Sequence, residues 1–286
     1  MSADQQAMQF ECGGQALIGV LHQPAQPAPR GVLVVTGGPQ YRVGSHRQFV
    51  LLGCHLAAQG HPVMRFDYRG MGDSTGDPRT FEQVDDDLHA AIRAFFAAVP
   101  ALRELVLWGL CDGATAAACH AARDHRITGL VLLNPWVRTD AGWAQATLRH
   151  YYVRRLASAA FWRKLAAGAV DVRSALAALR RTAQAALTTT RARTASTPQP
   201  GTAADLPARL HRALSRFPGR VLIMLSGADL GAREFSALSA HQPQWRRLLA
   251  ERRVTRVDIA GANHTCARKV WRDHVATSTA RWIASW

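Results

Sequence analysis

The 286-residue chain contains almost no lysine. Lys164 and Lys269 are the only lysines among 35 basic residues, so arginine supplies nearly all of the formal net charge of +15. The arginines are spread along the chain, and no helix-turn-helix, zinc finger or aromatic RNA-binding motif accompanies them. We therefore expect no nucleic-acid partner. An anionic substrate or an anionic membrane surface remains open as the reason for the charge.

Several other features are missing as well. No apolar run reaches the roughly 18 residues of a membrane-spanning helix, and residues 1–6 lack the basic start and apolar stretch of a signal peptide. The five cysteines are odd in number and lack CxxC spacing, which is typical of a reduced, cytoplasmic protein. No metal-ligand pattern and no glycine-rich phosphate loop is present, so we expect neither a metal nor a cofactor.

The most informative segment that is present surrounds Cys111. The apolar run 105–108 precedes the sequence Gly-Leu-Cys-Asp-Gly at 109–113, and a small-residue segment typical of a helix follows it. Such a strand–turn–helix with a central cysteine has the form of a nucleophile elbow. Glycines on both sides fit the tight turn, and the helix N-terminus stabilises a thiolate. The pattern predicts that Cys111 is a nucleophile.

Two candidate partners follow Cys111 in the order that this arrangement requires. Asp229 comes directly after the apolar strand 221–225, and His264 comes directly after the short strand 256–259. A nucleophilic cysteine needs a histidine base, and the histidine needs a carboxylate to orient it. Asp258 is the rival acid, but it lies within a strand. We predict a triad of Cys111, Asp229 and His264.

A third strand supplies candidates for stabilising a developing oxyanion. The run 31–36 is apolar, and a Gly-Gly-Pro-Gln loop follows it at 37–40. One backbone N–H donor is expected from this loop, either Gly38 or Gln40, because a proline has no N–H. The second donor is expected from Asp112, the residue after the nucleophile.

Two arginines follow this loop and are candidates for substrate binding. Arg42 and Arg47 are positioned in sequence beside the proposed oxyanion loop, where a guanidinium can bind a carboxylate or phosphate with two hydrogen bonds. The alternative is that they lie on a solvated turn and at a helix start. Residues 67–74 form a D-x-R-G-x-G-x-S run, to which we assign no chemistry.

The chain divides into three parts. A β-hairpin at 7–22 and alternating strands and helices predict a mostly parallel sheet with helices on both faces. We expect a hydrolase core at 1–139 and 219–286, and a helical cap insertion at 140–218 with helices near 142–156 and 161–165 and a mobile segment near 188–203. A helix is predicted at 81–98, with a solvated acidic first turn at 85–87, and another at 270–283.

Six segments together resemble the α/β-hydrolases, and the resemblance is closer still to the exosortase A system-associated hydrolases of type 1. These segments are 37–49, 66–74, 107–114, 130–139, 225–235 and 261–265. The resemblance implies an α/β-hydrolase fold and a genomic setting of exopolysaccharide export. It also implies that Cys111 is the nucleophile, that Asp229 orients, and that His264 is the base. It implies no particular substrate.

We therefore predict a hydrolase that cleaves a small-molecule ester or thioester, with an anionic acyl group as one option, through an acyl-enzyme intermediate. One alternative is an acyltransferase in which a sugar hydroxyl replaces water. Another is a hydrolase fold that serves as a non-catalytic accessory protein. The oligomeric state stays open.

Overall fold

The computed structural model describes residues 4–38, 40–137 and 206–286. The strands in these ranges form one sheet: β1 (Asp4–Cys12), β2 (Gln15–Gln23), β3 (Arg30–Val35), β4 (Val63–Phe66), β5 (Glu104–Leu110), β6 (Ile127–Leu133), β7 (Arg220–Ser226) and β8 (Val254–Ile259). The order across the sheet is β1-β2-β4-β3-β5-β6-β7-β8. The pairs β1–β2 and β2–β4 are antiparallel, and all other pairs are parallel. The predicted hairpin and mostly parallel sheet are confirmed.

Helices cover both faces of the sheet, also as predicted. They are α1 (Gln48–Ala57), α2 (Asp85–Ala98), α3 (Asp112–Ala121), α4 (Leu206–Arg216), α5 (Leu230–His241), α6 (Pro243–Leu249) and α7 (Lys269–Ile283). Successive strand residues point to opposite faces, so Val32 and Val34 pack in one core with α1 and α7, whereas Leu33 and Val35 pack in a second core with the other helices. Burial on both faces explains the continuous apolar strand sequences.

The acidic first turn of α2 differs from the prediction. The helix begins at Asp85 rather than at residue 81. Asp87 is fully buried and forms a two-pronged ion pair with Arg69, with bonds from Nε at 3.0 Å and from a terminal nitrogen at 2.8 Å. Asp85 pairs with His120 at 3.0 Å. The expectation of a solvated turn is therefore wrong for Asp87, because the buried Arg69 requires a carboxylate in the interior.

The predicted insertion is described only at its C-terminal end. The expected cap helices at 142–156 and 161–165 and the segment at 188–203 lie outside the described residues, so the division at 139 and 218 stays a prediction. Within the described part, α4 packs against α3 and buries Leu206, Leu210 and Leu214. None of the helices in the described ranges is both long and apolar enough to cross a membrane.

Candidate active site

Cys111 lies in the turn between β5 and α3. Its φ of 60° and ψ of −126° are strained for a residue with a side chain. A Cβ added at Gly109 would lie 2.5 Å from the Cα of Ala114, and one added at Gly113 would lie 2.6 Å from the carbonyl oxygen of Val35. Both positions therefore exclude any side chain. The turn leaves Cys111 partly exposed at the carboxyl end of β5, directly before the N-terminus of α3.

Asp229 and His264 meet at the same edge of the sheet. Asp229 follows β7 and is the N-cap of α5, where its Oδ2 accepts a hydrogen bond from the N–H of Ala232 at 2.8 Å. Its Oδ1 lies 3.0 Å from Nδ1 of His264. Asp258, the rival acid, lies on β8, is 64% exposed and pairs with Arg256 at 2.9 Å. The helix cap thus holds one carboxylate oxygen while the other contacts the imidazole.

His264 also reaches the cysteine. Hydrogen bonds to Asp229, and after it to Cys111, raise the pKa of His264 to about 10, although burial acts in the opposite direction. The imidazole is therefore positively charged at neutral pH. Because Nδ1 faces Asp229, Nε2 is the nitrogen available to the sulfur of Cys111. His264 is thus hydrogen-bonded to Asp229, and its pKa also responds to Cys111, so the structure brings together the three residues that the sequence pattern selects.

Asn134 is a buried residue of this region that the sequence analysis did not select. It follows β6 with a φ of 49°. Its side-chain amide donates to Oγ of Ser226 at 3.0 Å and to the backbone carbonyl of His264 at 3.1 Å, while its Oδ1 accepts from the N–H of Ser226 at 2.8 Å. Asn134 therefore ties the ends of β6 and β7 to the histidine loop. Its signal in the sequence was a polar residue directly after an apolar strand.

The two loop N–H groups that we predicted as alternative oxyanion donors bind different acceptors. The N–H of Gln40 donates to the carbonyl oxygen of Gly37 at 3.3 Å and so closes a turn. The N–H of Gly38 faces the elbow and donates to Oδ2 of Asp112 at 2.9 Å. The N–H of Gly113 donates to Oδ1 of the same carboxylate at 3.0 Å. The two loops thus converge on the side chain of Asp112, a contact that the sequence pattern gave no reason to expect.

Arg42 pairs with carboxylates of the protein itself. Its side chain, 15% exposed, forms ion pairs with the buried Asp67 and with Asp73. Its backbone N–H also donates to Asp67 at 2.6 Å. A Cβ added at Gly72 would lie 2.2 Å from Oδ2 of Asp67. The D-x-R-G-x-G-x-S run is therefore built around Asp67, and it holds the segment after the oxyanion loop.

Arg47 remains at the surface. It is the N-cap of α1, with a φ of 58°, and its side chain is exposed.

Cys266, two residues after His264, is buried, and its sulfur lies 3.9 Å from Oγ of Ser226. Across the residues that the structure describes, no group of three or more histidine, cysteine, aspartate or glutamate side chains is arranged to hold a metal ion.

Comparison with known proteins agrees with this architecture. A sequence model described as the alpha/beta hydrolase family matches residues 32–271, whereas no curated protein matches the chain. Among solved structures, the Pyrococcus furiosus esterase Pf2001 superposes with a TM-score of 0.65 at 13% identity, covering 99% of this chain and 93% of that one.

Two further solved structures have similar folds. Est1E from Butyrivibrio proteoclasticus, solved with ferulic acid bound, superposes with a TM-score of 0.61 at 15% identity over 97% of this chain and 98% of that one. A proline iminopeptidase from Mycobacterium smegmatis superposes with a TM-score of 0.60 at 18% identity over 98% of both chains. At these identities, the likeness establishes the fold alone.

Proposed function

Because this chain belongs to the alpha/beta hydrolase family, we propose that it cleaves an ester or a thioester through a covalent intermediate on Cys111. The observation that carries the proposal is the connected series from Asp229 to His264 to Cys111, in which the pKa of His264 is raised to about 10. Transfer of the Cys111 proton to His264 gives the thiolate, which is the attacking form of cysteine. The name of one similar structure, the esterase Pf2001, supports the ester as substrate.

In the acylation step, the thiolate of Cys111 attacks the carbonyl carbon. A C–S bond forms, and the carbonyl electrons move to the oxygen. When this oxyanion collapses, the bond to the leaving group breaks, and His264 gives its Nε2 proton to the departing oxygen or sulfur. Asp229 orients the imidazole throughout. The N–H groups of Gly38 and Asp112 are the donors that we assign to the oxyanion.

In the deacylation step, His264 is neutral and takes a proton from water, which attacks the thioester carbonyl and releases the acid and the Cys111 thiolate. No metal or cofactor enters either step.

The resemblance to the exosortase-associated hydrolases favours a role beside exopolysaccharide export. The alternative in that setting is that a sugar hydroxyl takes the place of water, which would make the same chemistry an acyl transfer. A reduced cytoplasmic location suits a free thiol at the catalytic centre.

Intact-mass spectrometry of acid-quenched reactions tests this function. The protein is mixed with a panel of phenyl esters and acyl thioesters, and the mass of one acyl group is sought. We expect the increment in the parent chain and in Cys119→Ala, a matched control on the same helix, and its complete loss in Cys111→Ala. An increment that persists in Cys111→Ala contradicts the nucleophile. Absence of any increment across the panel favours a non-catalytic accessory protein.

A further inference from the structure

Asp112 carries a carboxylate at the point where the proposed reaction needs empty backbone donors. Oδ2 accepts from the N–H of Gly38 at 2.9 Å, and Oδ1 accepts from the N–H of Gly113 at 3.0 Å. Gly38 is the loop donor assigned to the oxyanion above. The free protein therefore holds a carboxylate oxygen on the donor that the carbonyl oxygen of a substrate has to reach.

The surroundings of Asp112 are built for this carboxylate. A Cβ added at Gly37 would lie 2.1 Å from Oδ1 of Asp112 and 2.5 Å from the nitrogen of Gly113. Asp112 also lies in the first turn of α3, where the helix dipole favours an anion. Burial raises the pKa of the Asp112 carboxyl above its usual value, although the backbone N–H bonds and the charge of His264 act in the opposite direction. Both carboxylate oxygens accept hydrogen bonds, as an ionised side chain does.

The carbonyl oxygen of a neutral ester competes poorly with the Asp112 carboxylate for the N–H of Gly38. Hydrogen bonds to an ionised acceptor are roughly twice as strong as those to a neutral one. A carbonyl oxygen that takes the Gly38 N–H also leaves a half-buried carboxylate without its partner, which is unfavourable. A substrate that brings its own positive charge to Asp112 removes this penalty at the moment of displacement.

We propose that Asp112 determines substrate specificity, and that the productive acyl donor carries a protonated amine beside its scissile carbonyl. This inference rests on the proposed function. When the carbonyl oxygen binds Gly38, the ammonium group pairs with the displaced carboxylate. An acyl group with neither charge nor donor at that position reacts slowly. The charge that selects the substrate is thus placed next to the nucleophile in sequence and in space.

Two esters with the same leaving group test the inference. Glycine phenyl ester and phenyl acetate differ by one ammonium group, and phenol release gives kcat/KM for each. The ratio of the two values is compared between the parent chain and Asp112→Asn, so that the intrinsic reactivity of each ester cancels. Asp273→Asn, which removes an exposed carboxylate on α7, is the matched control. Asp112→Ala is the second variant in case the amide folds poorly.

We expect the ratio of kcat/KM for glycine phenyl ester to kcat/KM for phenyl acetate to fall about tenfold or more in Asp112→Asn and in Asp112→Ala. In both variants kcat/KM should rise for phenyl acetate and fall for the glycine ester. Asp273→Asn should keep the parent ratio. A ratio that stays within about twofold of the parent in both Asp112 variants overturns the inference and leaves the proposed function intact. If no variant and no parent protein releases phenol from either ester or forms an acyl-enzyme with any member of the panel, the proposed function falls and the inference falls with it.

Discussion

The side-chain amide of Asn134 donates a hydrogen bond to the backbone carbonyl of His264 at 3.1 Å, although 130 residues separate the two in sequence. The same amide group binds Ser226, which precedes the acid loop. One buried side chain thus sets the spacing between the elbow side of the site and the histidine side. In the proposed reaction Asn134 is a positioning residue.

Replacing this amide should impair turnover more than binding. Asn134→Asp removes both donated bonds while it keeps the shape, and loss of two buried hydrogen bonds should lower the free energy of unfolding by about 1–3 kcal/mol. We expect kcat to fall at least tenfold with little change in KM. Asn263→Asp, which retains the acceptor for the N–H of Ala267, should melt close to the parent. A larger effect on KM than on kcat argues against a positioning role.

The orienting acid can be identified by a pair of substitutions. Asp229→Asn leaves His264 without its carboxylate, and in comparable triads such a change lowers the rate by about 10⁴. Asp258→Asn removes an exposed carboxylate that contacts Arg256 and should leave the rate within about twofold of the parent. Steady-state kinetics on the best ester compares them. The opposite ranking transfers the role to Asp258.

Two histidines should titrate at opposite ends of the pH range. Hydrogen bonds to Asp229 and Cys111 raise the pKa of His264 to about 10, whereas burial beside Arg65 lowers the pKa of His22 to about 4. Since the folded pKa of His264 exceeds its unfolded value, its contribution to stability is complete below about pH 6.5 and is lost as the pH rises towards 10. NMR titration measures both values. Cys111→Ala should lower the pKa of His264 and leave that of His22 unchanged.

The acidic turn of α2 offers a stability test that is independent of catalysis. Asp87→Asn breaks a buried ion pair with Arg69 and should lower the free energy of unfolding by about 3–5 kcal/mol. Asp86→Asn, on the adjacent residue with an 83% exposed side chain, should lower it by less than about 1 kcal/mol. Chemical denaturation compares the two variants. Equal losses indicate that the buried pair contributes nothing beyond its exposed neighbour.

The two arginines after the oxyanion loop should separate into different roles. Arg47→Ala should raise KM about tenfold for an acyl ester with a distal carboxylate, such as the monophenyl ester of succinic acid, and leave KM for the uncharged ester unchanged. Arg42→Ala should instead lower the melting temperature, because Asp67 loses its partner. Equal changes in KM on both esters reduce Arg47 to a structural residue.

The sequence carries local information, and it predicted most of the strands but not the start or the burial of the acidic first turn of α2. The apolar runs and the turn residues between them predicted the hairpin and the mostly parallel sheet, and both are confirmed. The triad of Cys111, Asp229 and His264 stays a prediction. Apolar alternation and turn residues are properties of neighbours in the chain. Helices α5 and α6, the first of which Asp229 caps, were not predicted from the sequence.

Contacts between distant polar side chains were beyond the reach of the pattern. Arg42 and Asp67 are 25 residues apart, and Arg69 and Asp87 are 18 apart. Which carboxylate forms an ion pair with a given arginine depends on where loops meet in space and on which charges are buried there. The same holds for Asp112. The sequence pattern predicted a role for its backbone N–H, but its side chain contacts the loop at Gly38, which is distant in sequence.

The site is assembled from two stretches of chain that lie side by side in the sheet. Cys111 and Asn134 precede residues 138–205, whereas Asp229 and His264 follow them. The alignment is set by the backbone register between β6 and β7, in which Leu130 pairs with Val221 and Leu133 with Met224. All the residues that form this register lie outside the intervening stretch. Descendants of such a chain can therefore exchange what they recognise while they inherit the same reactive centre.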